Sequence, residues 1–89
     1  MLPEYLKTMD HLQCVPVIAS FSADGEIRPL YTTIKSIPLK IEWSTVQEHD
    51  GYIWIPFLCT VIDNGFKKQL NLNYNVQEHA WFAPSEYFR

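Results

Sequence analysis

Tyr52-Ile53-Trp54-Ile55-Pro56-Phe57-Leu58-Cys59-Thr60-Val61-Ile62, then Asp63-Asn64-Gly65, then Phe66-Lys67-Lys68-Gln69-Leu70-Asn71-Leu72-Asn73-Tyr74-Asn75-Val76, is the stretch on which the fold turns. Two apolar runs meet at Asn-Gly, the pair best suited to a two-residue type I′ turn, which needs positive φ at both central positions. The stretch therefore predicts a long β-hairpin. With Asn64 and Gly65 as the turn, Asp63 faces Phe66, and the pairs continue as Val61 with Lys68, Cys59 with Leu70, Phe57 with Leu72, Ile55 with Tyr74 and Ile53 with Val76.

Residues directly opposite one another share a face, so this register makes one face almost wholly apolar. The other sets Tyr52, Trp54, Pro56, Leu58, Thr60 and Ile62 against Gln77, Asn75, Asn73, Asn71, Gln69 and Lys67. A slip by one residue would place Ile53, Ile55, Phe57, Cys59 and Val61 opposite that amide row. Burying an unpaired amide costs roughly 1 to 3 kcal/mol, and the slip also exposes apolar side chains, so the first register is expected. It leaves Tyr52, Trp54 and Leu58 on a half-polar face that either is covered by the N-terminal segment or serves as a contact surface, joined by Tyr87 near the C-terminus.

Working outward, residues 2–11 place Leu2, Leu6 and Met9 on one side of a short helix, or of an extended segment, that forms only by docking. Residues 13–21 are apolar on both faces, as in a fully buried strand. Pro16 lacks a ladder donor, however, and argues for an edge or a bulge. Ser22-Ala23-Asp24-Gly25 is a turn, and residues 26–35 form the next strand, with Pro29 again marking an edge or bulge. Residues 36–43 alternate, which turns Ile37, Leu39, Ile41 and Trp43 inward. A polar excursion ending at Asp50-Gly51 leads into the hairpin. After it, residues 80–83 add a short strand around Trp81 and Phe82, and 84–89 form a tail. Val46-Gln47-Glu48-His49 recurs as Val76-Gln77-Glu78-His79, and each copy reads as a polar turn entering an aromatic strand, a duplicated turn element being the alternative.

The expected fold is mainly β: one domain over residues 1–89 with its core in 12–83. It is a five- or six-stranded antiparallel curved sheet, or a partly open barrel of SH3-like or OB-like size, with a short N-terminal helix. A sandwich of two three-stranded sheets is the alternative. Eighty-nine residues bury about 60 to 65 % of the unfolded surface, so stability is modest.

A net charge of −3 supplies no general attraction for nucleic acid or an anionic membrane. The start of the chain lacks a basic segment followed by an apolar run, which predicts a cytoplasmic protein with reduced cysteines. His11 and Cys14 with His49, Cys59 and His79 are the conceivable zinc ligands, but no C-x-x-C or H-x3-H spacing supports them and no cofactor is expected. Glu48 beside His49 and Glu78 beside His79 resemble acid–base couples by adjacency alone, and neighbours on a strand point to opposite faces. No Gly-rich phosphate loop exists. The expected function is thus non-enzymatic: a protein-interaction or self-association module, possible as a homodimer, using Tyr52, Trp54, Leu58 and Tyr87. The first alternative is a nucleic-acid platform in which Lys67 and Lys68 assist stacking on Tyr52 and Trp54. The second is a metal-binding protein.

The apolar run 17–21, Asp24-Gly25, Ile27-Arg28-Pro29-Leu30, residues 57–61, residues 70–74 and Trp81-Phe82 together resemble a family of short, uncharacterised bacterial β-rich proteins. The likeness covers most of residues 15–82. It departs from the family outline between Ile37 and Trp43, where an Asp-Gly turn is missing. The resemblance implies a small β-barrel and carries over no catalytic or binding residue.

Overall fold

A computed structural model describes residues 11–89, and the N-terminal helix expected over 2–11 lies, His11 apart, outside the described residues. Among the described residues seven strands form one antiparallel sheet: β1 (Leu12–Val15), β2 (Val17–Phe21), β3 (Ile27–Ile34), β4 (Ile37–Val46), β5 (Trp54–Asp63), β6 (Phe66–Asn75) and β7 (Ala80–Pro84). Their spatial order is β1-β7-β6-β5-β4-β3-β2, and the sheet curls into a half-barrel. Mainly β architecture is as expected. The strand number is not, because residues 13–21 form two strands.

Pro16 is the reason. β1 pairs with β7 at one margin of the sheet and β2 with β3 at the other, so the chain crosses between the margins at Pro16. That crossing requires the sheet to curl. The Pro16 carbonyl, which enters neither ladder, accepts the hydroxyl proton of buried Thr32 at 3.0 Å. A segment apolar on both faces and interrupted by proline is thus one strand changing partners, which resolves the two opposed signals in the sequence.

The β5–β6 hairpin has the register that keeps the amide row off the apolar face, from Asp63↔Phe66 to Trp54↔Asn75. Asn64 and Gly65 both take positive φ, 52° and 80°, as the turn demands. The apolar face is the core: Phe57, Cys59, Val61, Leu70, Leu72 and Tyr74 are buried, together with Leu39, Ile41, Trp81 and Ala83 from the flanking strands. Phe57 and Tyr74 lie 5.3 Å and 5.0 Å from the Trp81 ring. Phe21 reaches over from β2 to meet Tyr74 edge-on at 5.8 Å. Each such side chain contributes roughly 1.5 to 3 kcal/mol when fully buried.

Two side chains expected inside are outside. Ile37 is exposed because β3 and β4 are joined by a turn at Lys35-Ser36, both with positive φ, which leaves Ile37 at the lip of the sheet. Trp43 is exposed because of a bulge: Ile41 faces Val61 but Trp43 faces Thr60, so Glu42 is an extra residue. One extra residue inverts the alternation beyond it. Ser44 and Val46 take the inward side in its place, opposite Cys59 and Phe57.

The prolines mark where ladders end. β4 stops at Val46, and Pro56 lies just past that end, its carbonyl accepting the Gln47 N–H at 2.8 Å. Pro29, opposite Ala19, directly precedes the extra residue Leu30 of a bulge. In neither place does the missing N–H interrupt a ladder.

Candidate interaction surface

The face of β5 turned away from the core carries the side chains singled out above, and their environments differ. Tyr52 precedes β5 and is 90 % exposed. Trp54 is half-buried, with its ring edge-on to Phe82 at 5.3 Å. Leu58 is half-buried opposite Asn71. Tyr87 belongs to a short 3-10 helix, Ser85–Phe88, that packs on the core; its hydroxyl accepts the Asn71 main-chain N–H at 2.9 Å. The tail is thus bound to the sheet through that bond, and only Tyr52 presents a whole ring.

The amide row is not a solvated strip. Asn73 and Asn75 are buried. The Asn73 amide donates to the Phe82 carbonyl at 3.4 Å, and the Asn75 carbonyl oxygen accepts the Glu78 N–H at 2.8 Å. That second bond fixes the turn from β6 to β7, where His79 adopts a φ of 52°. The repeated tetrapeptide is therefore not a duplicated element: its second copy is this tight turn, while its first begins as the last residue of β4 and opens into a loop.

Sequence reasoning missed the neighbours of Tyr52. Ile53 and Val76 extend the apolar face of the hairpin by one pair, joined by a Val76 N–H to Ile53 carbonyl bond of 2.8 Å, and both are exposed. The adjoining pair is Ile55↔Tyr74, and Phe21, itself exposed, rests on Tyr74. An apolar rim of Phe21, Tyr52, Ile53 and Val76 therefore runs round one end of the curled sheet. Its signal was present in the sequence as apolar alternation reaching beyond the strand ends.

The basic pair is divided. Lys67 and Lys68 fall on opposite faces; Lys68 pairs with Asp63 at 2.9 Å and Lys67 lies 3.9 Å from Glu42. Surface pairs of this kind are worth at most about 1 kcal/mol, but they leave no joint basic patch for a phosphate backbone. Cys14 and Cys59 also face opposite ways. The row Cys14↔Phe82↔Asn73↔Pro56 lies on the outer face, whereas Cys59 is in the core, where burial pushes its thiol up to about 12. Among the described residues no three of His, Cys, Asp and Glu gather as a metal site would require. No family model, curated protein or solved structure matches the chain.

Proposed function

We propose that the chain is a non-enzymatic interaction module that binds another protein, a second copy of itself in the first instance, through the apolar rim at the Tyr52 end of the sheet. One observation carries this reading: Tyr52, Ile53, Val76 and Phe21 are all exposed and lie together at one end of the sheet. Contiguous apolar surface of that kind marks contact sites, and Tyr is among the residues that dominate binding energy at them. Like-charge repulsion is small at a net charge of −3, so two copies meet without a large electrostatic penalty. Trp54 and Leu58 lie on the other face of β5, and Tyr87 meets β6 at Asn71, so none of the three belongs to the rim.

The clean test uses Tyr52, because truncating Trp54 also removes its contact with Phe82 and mixes association with folding. Sedimentation of the native chain is expected to give a concentration-dependent dimer. The Tyr52→Ser, Ile53→Ser double variant is expected to sediment as a monomer with its urea midpoint little changed. A native chain that stays monomeric at millimolar concentration rules out self-association, and a double variant that still dimerises rules out the rim.

A further inference from the structure

β3 and β4 leave their turn as hairpin partners but stay paired only from Ile34↔Ile37 to Tyr31↔Lys40. Beyond that, β3 follows β2 and β4 follows β5, and the two diverge. The opening is a cleft of about 860 Å³, with Ile27 and Pro29 on one wall, Ser44 and Val46 on the other, and Ile55 and Phe57 as its floor. That volume lies in the range of ligand-binding pockets.

The alternation of the ladders shows what the separated edges offer. The Val76 to Ile53 bond directs the main chain of odd-numbered β5 residues toward β6, so even-numbered ones face β4, as the Gln47 to Pro56 bond also shows. Trp43 and Thr45, opposite Thr60 and Leu58, therefore spend their main-chain groups on β5. Ser44 and Val46 point theirs into the cleft. On the far wall, the Ser22 N–H to Glu26 carbonyl bond of 2.9 Å directs Glu26 and Arg28 toward β2. Ile27 is left facing the cleft, as is Pro29, which has only a carbonyl to present. Among the described residues no strand pairs with either edge over this length.

We propose that the cleft accepts an extended peptide as an added strand on the free edge of β4. Its main chain pairs with the N–H and C=O groups of Ser44 and Val46, and every second side chain descends onto Ile55 and Phe57. This is the recognition expected where main-chain groups stand unpaired at strand spacing above an apolar floor. A small apolar molecule would leave those groups unpaired, and Arg28, the cation among the described residues lining the cleft, sits beside Glu26 at 3.0 Å, which disfavours a phosphate. Glu42 lines the cleft, and because its contact with Lys67 is long at 3.9 Å, its carboxylate favours a basic residue at the intervening positions of the peptide. The site shares no residue with the rim, although Ile27 of its wall faces Phe21, and it does not depend on self-association.

The test titrates the isotope-labelled chain with the capped synthetic hexapeptide Val-Lys-Val-Lys-Val-Lys, following amide shifts and hydrogen exchange. Saturable binding that slows exchange at Ser44 and Val46 by about tenfold or more is expected, as one well-made hydrogen bond is worth roughly that factor. Ser44→Pro removes only a cleft-facing donor, so it is expected to fold and to lose about tenfold in affinity. Should that variant fail to fold, the peptide with alternate amides N-methylated makes the same test on unaltered protein and is expected to lose binding. Tyr52→Ser is expected to bind the hexapeptide as the native chain does. Binding that never saturates, that survives N-methylation, or that shields the rim instead of Ser44 and Val46 overturns the proposal. So does protection of those two amides that grows with protein concentration alone, which would show that a second copy occupies the cleft.

Discussion

The hydroxyl of Tyr87 accepts the main-chain N–H of Asn71 at 2.9 Å, and in doing so completes a ladder that β7 leaves unfinished. β6 and β7 pair from Asn75↔Ala80 only as far as Asn73↔Phe82. The next β6 donor facing that side is Asn71, where β7 has reached Pro84 and turns into the 3-10 helix. The helix returns a phenol to the position a strand carbonyl would occupy.

Tyr87→Phe tests this bond alone, because the ring and its packing on the core are retained. A partly buried N–H left without its acceptor costs about 1 to 3 kcal/mol. The urea midpoint should fall accordingly with the slope unchanged. An unaltered midpoint would mean that water takes the place of the hydroxyl.

The two cysteines should separate cleanly in reactivity. Cys14 is exposed on β1, and Cys59 is buried on the core face with a thiol pushed up to about 12. Under native conditions a thiol reagent should modify one cysteine per chain quickly and the second only as the chain unfolds. The same shift carries a sign for stability. Between the ordinary thiol value and about 12 the unfolded chain has released the Cys59 proton and the native chain still holds it. Stability contributed by this group is therefore full below that window and falls through it as pH rises, by up to about 1.4 kcal/mol per unit. Cys59→Ala should flatten the alkaline limb of a stability profile.

Trp43 and Trp81 form a contrast that tests the bulge. Trp81 is 6 % exposed between Phe57 and Tyr74, while Trp43 is 58 % exposed. Trp81→Ala should cost about 3 to 5 kcal/mol and Trp43→Ala under about 1, read from urea unfolding. A large loss at position 43 would place that indole in the core and remove the extra residue at Glu42.

How far each of these features was legible in the sequence depends on whether a local group enforces it. The hairpin register could be read because Asn64-Gly65 sets the turn and Asn71, Asn73 and Asn75 penalise a slip, two local constraints that agree. The partner change at Pro16 announced itself only as a conflict between an apolar run and a missing donor. Trp43 was misplaced because nothing in Ile41-Glu42-Trp43 distinguishes a bulge from continued alternation. Of the proposed contact residues, Tyr52 was legible as an aromatic on the half-polar face of the hairpin, whereas Ile53 and Val76 were hidden by belonging to the apolar face. The cleft was not legible at all: β3 and β4 separate because the sheet curls, which is a property of all seven strands. Pro29, with no donor to offer the cleft, is the nearest thing to a sequence trace of it.

The turns that were and were not foreseen predict opposite responses to glycine. Lys35 and Ser36 hold φ values of 52° and 64° without being residues that favour that region, which is why no turn signal stands there in the sequence. Ser36→Gly relieves the strain at an exposed position and should stabilise the chain by about 0.5 to 1 kcal/mol, net of the entropy glycine adds to the unfolded state. Gly65, at a φ of 80°, has nothing within 4 Å of where a Cβ would stand, so Gly65→Ala is costly for conformational reasons alone. It should destabilise by about 1 to 2 kcal/mol. Thermal or urea unfolding of the two variants gives both signs in one experiment. If Ser36→Gly were as damaging as Gly65→Ala, the turn at Lys35-Ser36 would not have the positive φ values that place Ile37 at the lip of the sheet.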